Sequence, residues 1–536
     1  MRRSHARSRV DSNKHPMDPI KFPARPTTRS RHSKPGFVSP LVASILILIA
    51  LFSCYWLFVN KGSVNFAGSK RYGIIIDGGS TGTRIHVFSY RVQDGRPVFD
   101  FGEDAMRVNP GLSSYSEDPD EAGGSLKELI EFGKGRVPRE LWNHTEIWLM
   151  ATAGMRLLDV DVQDRILEAC RRVLRTSGFK FDDKWASVIT GSDEGVYAWV
   201  VANYALGTLG GDPRQTSGII ELGGASAQVT FVPDEPVPPE FSRTVTFGNV
   251  TFSIYSHSFL HFGQNVAFEA FKESLAADNY GLTTSSLEKQ TIIDPCTPKD
   301  YSHATVAWKL APGPSTEKNK LPSLFHSKGN FSECRTAALT LLQKGKDKCQ
   351  YQHCYIGSTF IPKLVGKFLA TENFYHTSKF FGLDSRGFLS SLMVAGQQFC
   401  GQNWSKLKMK YQSHSDEDLV RYCFSSAYIV ALLHDSLGVA LDDERISYAS
   451  QVGNIPLEWA LGAFILQSTA NLNSQPVDWI ATVINDDSPT LFSLIAISIL
   501  LMFVAWSISK CRKPNLKTVY DLEKGRYIVT RVGRSS

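Results

Sequence analysis

The chain is 536 residues long, 43% hydrophobic and 21% charged, which excludes a disordered or fibrous protein and leaves room for one large core or two lobes of ordinary domain size. Its net charge of +6 sits at the two ends: residues 1–39 hold ten Lys/Arg against two acids, and residues 509–536 hold eight against two, leaving the stretch between near −8. A nucleic-acid-binding surface is therefore excluded as the reading of the total charge, and basic tails beside anionic lipid account for it.

After the first tail, residues 40–59 (PLVASILILIALFSCYWLFV) form an uncharged run of twenty, enough for one transmembrane helix. The run is too long for a signal-peptide core and lacks a small-residue cleavage site, so it reads as an uncleaved anchor. Next comes RYGIIIDGGSTGTRIHVFSYRV, two apolar strands around a glycine and hydroxyl turn. DPDEAGGSLKELIEFGKGRV predicts a helix with an acidic start, EIWLMATAG a strand ending in a loop, and DVDVQDRILEACRRVLRTSG a capped amphipathic helix. ASVITGSDEGVYAWVVANYALGTLGG again reads strand, loop, helix. The alternation is an α/β pattern, with ligand sites expected at the carboxyl ends of strands.

Further along, residues 310–332, with three prolines, predict a surface loop, and residues 472–490 a polar stalk that is plainest over 476–490. Residues 491–508 (LFSLIAISILLMFVAWSI) are a second uncharged run, of eighteen, followed by the basic flank KCRK. By the positive-inside rule both tails face the cytosol, and residues 60–490 lie outside the cell or in a lumen. The two helices would also offer a route to oligomers within the membrane. Four N-glycosylation acceptors, Asn143, Asn249, Asn330 and Asn403, all fall between the runs. Six of the nine cysteines are expected as bridges in such a compartment: Cys349 with Cys354, Cys400 with Cys423, Cys296 with Cys334. Spacing does not determine connectivity. Cys170, in a helical stretch, is left as a buried free thiol, and no CxxC…CxxC spacing argues for zinc.

The hairpin motif has an echo. GIIELGGASAQVTF, residues 218–231, repeats apolar strand, acid, glycine-rich turn and apolar strand, with Glu221 standing where Asp77 stands in the first copy. One such turn is weak evidence of a site; two with an acid at the same place suggest duplicated lobes, each offering one loop to a shared cleft. Glycines let backbone N–H groups converge on an anion, and Ser and Thr add uncharged donors. Asp77 and Glu221 would repel phosphate directly, so their natural role is to hold a divalent cation, Ca²⁺ or Mg²⁺, through water. No GxxxxGK[ST] is present, and no GxGxxG opens a helix after a strand. Two acid-and-glycine turns therefore describe a metal–polyphosphate site.

DGGSTGTR, ATAGMRLL, SDEGVYAWVVANYALG, IIELGGASAQVTF and IPLEWALGA resemble, in order, the five conserved regions of the apyrases, or ecto-nucleoside triphosphate diphosphohydrolases, over roughly residues 72–465. Their wording is most similar to membrane-bound plant apyrases, and an anchor at each end is also a family arrangement. The resemblance implies an α/β two-lobed, actin-like (ribonuclease H-like) duplicated fold, with a first lobe of residues 70–192 plus about 453–475 and a second of 193–452. It implies cation-dependent attack of water on the terminal phosphate of a nucleoside tri- or diphosphate. Carried over by motif, Glu194 is the catalytic base, expected in a loop before a helix, although an acid favouring a helix dipole explains its position as well. Ser226 and Gln228 match residues that orient the water, and Thr152 one beside the transferred phosphate. Gly78, Gly79, Ser80, Thr81, Gly82, Thr83, Arg84, Gly223, Gly224 and Ala225 fall in the phosphate-binding loops.

Arg156 reads equally as a structural ion pair or a phosphate contact, and Trp459 as packing near the cleft. Phe374 and Tyr375 are candidates for the base pocket, against a core role for each. Glu221 departs from the Asp common at its position, which matters more for Mg²⁺ than for Ca²⁺ geometry. Two other readings compete with hydrolysis: a kinase of the same superfamily, and a nucleotide-binding membrane glycoprotein without catalysis.

Overall fold

The computed structural model describes residues 70–474, apart from 94–95, 103, 281–290, 302–323 and 385–388, together with 499, 503, 516–521 and 525–531. The chain divides into two compact units, Asn65–Thr482 in one and Met1–Val64 with Val483–Ser536 in the other. Of the second unit the described part is chiefly an antiparallel hairpin, Leu516–Asp521 against Arg526–Arg531. Among the described residues no helix is long and apolar enough to cross a membrane. The expected spans, 40–59 and 491–508, lie outside those residues, save Ile499 and Phe503.

The larger unit is built on two mixed sheets of the same design. In the first, strand order is β3-β2-β1-β5-β6, with β1 (Arg71–Gly78) antiparallel to β2 (Thr83–Gln93) and parallel to β5 (Glu146–Ala151). Strand β3 (Arg96–Asp100) continues the antiparallel side, β6 (Ala186–Val188) the parallel side, and β4 (Ala105–Val108) also pairs with β2. In the second sheet β7 (Gly218–Leu222) is antiparallel to β8 (Ser226–Phe231), which runs on to β10 (Val250–Leu260) and β9 (Ser242–Phe247). On its other edge β7 is parallel to β15 (Phe368–Glu372) and that to β16 (Ile446–Tyr448). Between β10 and β15 lie two small pairs, β11 (Thr291–Asp294) with β12 (Leu324–Ser327) and β13 (Cys354–Ile356) with β14 (Thr359–Phe360).

Each leading strand is buried on both faces, which its unbroken apolar run requires. Alternation then sorts the side chains. Ile74 and Ile76 join a core with helices α1 (Pro119–Arg136) and α2 (Val160–Leu174), whereas Ile75 points the other way. That other face shares a central core with α3 (Gly191–Ala205) and α8 (Trp459–Ser474), which includes Trp199, Phe464 and, from the second sheet, Ile219 and Ile254. Ile220 and Leu222 turn instead into a third core, against α4 (Gln264–Tyr280), α5 (Phe331–Leu342), α6 (Asn373–Phe380) and α7 (Asp416–Val430). Helices α3 and α8 cross closely: a Cβ at Gly462 would lie 1.8 Å from the Tyr197 carbonyl oxygen.

All three expected bridges form, Cys296–Cys334, Cys349–Cys354 and Cys400–Cys423. Cys170 is free and buried, and burial pushes its thiol up to about 12. The surface loop expected over 310–332 is corrected in part. Residues 310–323 lie outside the described residues, but Leu324–Ser327 is a strand, and Asn330 caps α5 by accepting the Glu333 N–H at 3.2 Å. The start of the expected stalk, 472–474, belongs to α8; the remainder lies outside the described residues. Asn143, Asn249 and Asn403 are exposed, whereas Asn330 is half-buried.

Candidate active site

The two hairpins carry their acids in the same register. Asp77 sits opposite Arg84 across β1 and β2, and Glu221 sits opposite Gln228 across β7 and β8. Each turn is backed by a glycine from elsewhere in the chain. A Cβ at Gly111 would strike the Gly79 carbonyl oxygen at 2.3 Å, and one at Gly263 the Ser226 nitrogen at 2.3 Å. The turns face each other: a Cβ built on Gly224 would lie 2.9 Å from Ser80 Oγ and 3.3 Å from Thr81 Cγ2. Between them is a cavity of about 140 Å³.

Asp77, Gly79, Ser80, Thr81, Gly82 and Arg84 line it from the first sheet, and Glu221, Gly223, Gly224, Ala225, Ser226 and Gln228 from the second. Two residues of the first motif do not reach it. Thr83 is fully buried and Gly78 is packed beneath Leu112, because successive strand residues face opposite sides. The expected phosphate-binding loop thus loses the Thr83 hydroxyl from the cavity wall, and Gly78 is not among the lining residues. Gly78 acts through its carbonyl, which accepts the Thr152 N–H at 3.1 Å and places Thr152 on the cavity wall.

Glu194 also lines the cavity, and its place is corrected from a loop to the first turn of α3. Thr190 caps that helix, its Oγ1 accepting the Asp193 N–H at 3.1 Å. The close approach of Gly195 to Thr230 Oγ1, 2.5 Å from a built Cβ, presses this turn against β8. Arg156 Nη2 donates to Glu194 Oε2 at 2.9 Å and Nη1 to the Ile189 carbonyl at 3.1 Å. The ion-pair reading of Arg156 is thus the one found. Gln228 Nε2 donates to Ser226 Oγ at 2.7 Å and to Ser258 Oγ at 3.2 Å, and Arg156 Nη2 reaches Ser226 Oγ at 3.4 Å. Burial raises the Glu194 carboxyl above its ordinary value, and the Arg156 charge holds that rise in check.

The two strand-end acids have no such partner. Asp77 Oδ1 and Glu221 Oε2 are buried with no hydrogen-bond donor, and burial, then the charge of Glu194, pushes both carboxyls well above the usual range. An orphaned buried carboxylate oxygen needs a positive partner. Among the described residues no three His, Cys, Asp or Glu side chains converge closely enough to cage a metal, so the pair fits a cation carried through water.

Three cavity residues lie outside the sequence-derived site or change its reading. Trp459 packs as expected, stacking on Tyr197 at 6.3 Å, and also lines the cavity. Arg107, on β4 opposite Arg84, donates from Nη2 to Thr81 Oγ1 at 2.9 Å. Glu372 ends β15, and its signal was visible: FLATE is a third apolar strand closing on an acid. Arg107 has no comparable sequence signal. Adjacent Glu458 donates nothing to the reaction face; Arg84 Nη1 at 2.7 Å and His86 Nδ1 at 3.1 Å bind it. Burial pulls its carboxyl up, but those two partners outweigh burial and hold it below the ordinary value. The base-pocket expectation is corrected for Phe374, which is fully buried in the second-sheet core, and Tyr375 does not line the cavity.

An α/β fold of two mixed sheets that brings two glycine turns and an arginine-held carboxylate around one cavity is the setting of a phosphate-processing enzyme. The chain belongs to the GDA1/CD39 (nucleoside phosphatase) family, whose model matches residues 64–479. It is 55% identical to probable apyrase 6 of Arabidopsis thaliana, over 99% of this chain and 100% of that protein. It is 32% identical to ectonucleoside triphosphate diphosphohydrolase 3 of Mus musculus, over 81% and 84% of the two chains. Its fold is shared with a nucleoside triphosphate hydrolase of Neospora caninum, with a TM-score of 0.56 at 17% identity over 80% of this chain and 97% of that one. The protein is a nucleoside phosphatase.

Proposed function

We propose that the protein hydrolyses terminal phosphoanhydride bonds of nucleoside tri- and diphosphates, with Glu194 as the general base. The carrying observation is that Glu194, Ser226 and Gln228 are linked around one face of a cavity whose other walls are the two glycine turns. Ser226 and Gln228 hold the attacking water; Glu194 takes its proton as the water oxygen bonds to phosphorus, and the anhydride P–O bond breaks toward the leaving nucleotide. The turns offer N–H and hydroxyl donors to the phosphoryl oxygens, which is where negative charge spreads. A divalent cation, when bound near Asp77 and Glu221, neutralises phosphate charge. The paired sheets and the shared nucleotide cleft support an actin-like reading of the fold.

Placement in the cell belongs to the same proposal. The apolar runs 40–59 and 491–508 anchor the chain at both ends with the basic tails cytosolic, and the catalytic unit lies in a lumen or outside the cell. Three disulfides and the exposed Asn143, Asn249 and Asn403 support that side as oxidising and glycosylating.

Phosphate release from a nucleotide panel by the purified full-length protein, with and without chelator, tests the reaction. Glu194→Gln should lower release by about 10²–10⁴ while the fold persists; release equal to wild type would remove Glu194 as base. A Ca²⁺/Mg²⁺ titration of wild type beside Glu221→Asp tests the longer acid, and superimposable profiles would show that its length does not set metal preference.

A further inference from the structure

Glu372 is held in the cavity by a costly piece of backbone. Its φ of 59° and ψ of −123° lie where L-residues rarely go, yet the residue is not glycine. Two contacts impose this turn. Strand β15 runs beside β7 with Thr371 level with Glu221 and Glu372 level with Leu222, and Asn373 Nδ2 then donates to the Leu222 carbonyl at 2.8 Å. The sharp turn between these two contacts leaves Glu372 on the cavity wall that Asp77 and Glu221 also form. A glutamate kept at a position that glycine would occupy without strain implies a use for its carboxylate.

That carboxylate makes no hydrogen bond or ion pair among the described residues; Glu372 is itself exposed at the cavity wall, so the buried and unpartnered oxygens beside it are those of Asp77 and Glu221. The charged and titratable groups around Glu372 are His376, Arg84, Glu458 and Arg107, with Asp77, Glu194 and Glu221 across the cavity. Arg84 and His86 are already engaged by Glu458, and Glu194 by Arg156. Asp77, Glu221 and Glu372 are therefore three acids facing one cavity without an ion-pair partner, and Glu221, only 4% exposed, has an oxygen with no donor at all. Arg84 and Arg107 also line the cavity, but they are held by Glu458 and by Thr81 and Asn109, so the three acids repel one another and any phosphate unless a further cation sits among them.

We propose that Glu372 is a third carboxylate holding the divalent cation in this cleft, so that three strand ends, β1, β7 and β15, supply the site. The three do not converge at direct-ligand distance, so Glu372 acts through the cation's water shell. This rests on the cation reading above, and the test separates the two. Because Trp459 lines the cavity, terbium bound there is excited through its indole, and Ca²⁺ competes for the emission.

In purified full-length protein, wild type should show saturable terbium emission displaced by Ca²⁺. Glu372→Gln should weaken Ca²⁺ about 10- to 100-fold, as expected for an outer-shell group, and Glu221→Gln should weaken it at least as much. Glu372→Gly relaxes the backbone and keeps the fold. It should melt no lower than wild type in chelator and lose most of the rise in Tm that Ca²⁺ gives wild type. Unchanged Ca²⁺ competition in Glu372→Gln, with loss in Glu221→Gln, would overturn the role of Glu372 alone. An increase only in the nucleotide KM would reassign Glu372 to the substrate and overturn it equally. Absence of saturable emission from wild type would overturn the cation site itself.

Discussion

At the scale of single residues, the site separates side chains that act from side chains that only share a motif with them. Ser226 and Gln228 face the cavity while Ala227 between them is in the core, and Arg84 faces it while Thr83 does not. Strand alternation decides this, so Thr83→Val should leave turnover within about threefold, whereas Glu194→Gln should lower kcat by about 10²–10⁴ at similar KM. Phosphate-release kinetics on the two variants check both. His257 supplies a pH dependence away from the cleft. Burial between Phe241 and Phe259, with Arg243 adding a like charge, lowers its pKa from 6.5 to about 4. Below about pH 6.5 the unfolded chain takes up a proton that the folded chain refuses until about pH 4, so stability falls as pH drops through that window. His257→Phe should remove this component, worth about 1–3 kcal/mol. Melting of both proteins at pH 7 and pH 5 should show the variant gaining on wild type at the lower value.

At the scale of elements, the crossing of α3 and α8 carries the geometry of the site, since Glu194 begins one helix and Trp459 the other. No side chain fits between them at Gly462, where a Cβ would meet the Tyr197 carbonyl at 1.8 Å. Gly462→Ala must therefore move one helix, at a cost of about 1–3 kcal/mol or more. Denaturant unfolding measures that cost, and the displacement should also lower kcat, because Glu194 moves with α3. Wild-type stability in this variant would mean that the crossing is looser than described. The sequence placed a helix in the α3 stretch but left its first turn, with Glu194, as loop. Its pairing with α8 was not legible, because the two helices are separated by the whole second sheet.

At the scale of the whole molecule, all three bridges lie in the part of the chain built on the second sheet, and the first-sheet part holds only the free Cys170. Opening Cys400–Cys423 by paired serine substitution releases a loop of 23 residues and should cost about 3 kcal/mol. Hydrogen exchange should place the loss in α7 and its neighbours and leave α1 and α2 protected; a uniform loss would argue against this division. Cys170, with its thiol raised to about 12, should resist thiol reagents until unfolding.

The amino-acid sequence alone determined what is local and periodic. The two acid-and-glycine hairpins are local in this sense, because a strand, a glycine-rich turn and a returning strand are written in consecutive residues. The echo of one hairpin in the other pointed to the two like sheets, and the five ordered motifs pointed to the family. Tertiary structure decided which chemistry meets which. Arg156 reaches Glu194 across 38 residues, Arg107 folds over Thr81, and Glu372 joins Asp77 and Glu221 from a strand far along the chain. It also withdrew Phe374 from the base pocket, since a buried aromatic and a stacking aromatic have the same local pattern. The physical reason is that a site in a cleft is closed by packing between elements. The energy of that packing depends on surfaces that meet only after folding, and spacing along one strand or helix cannot encode it.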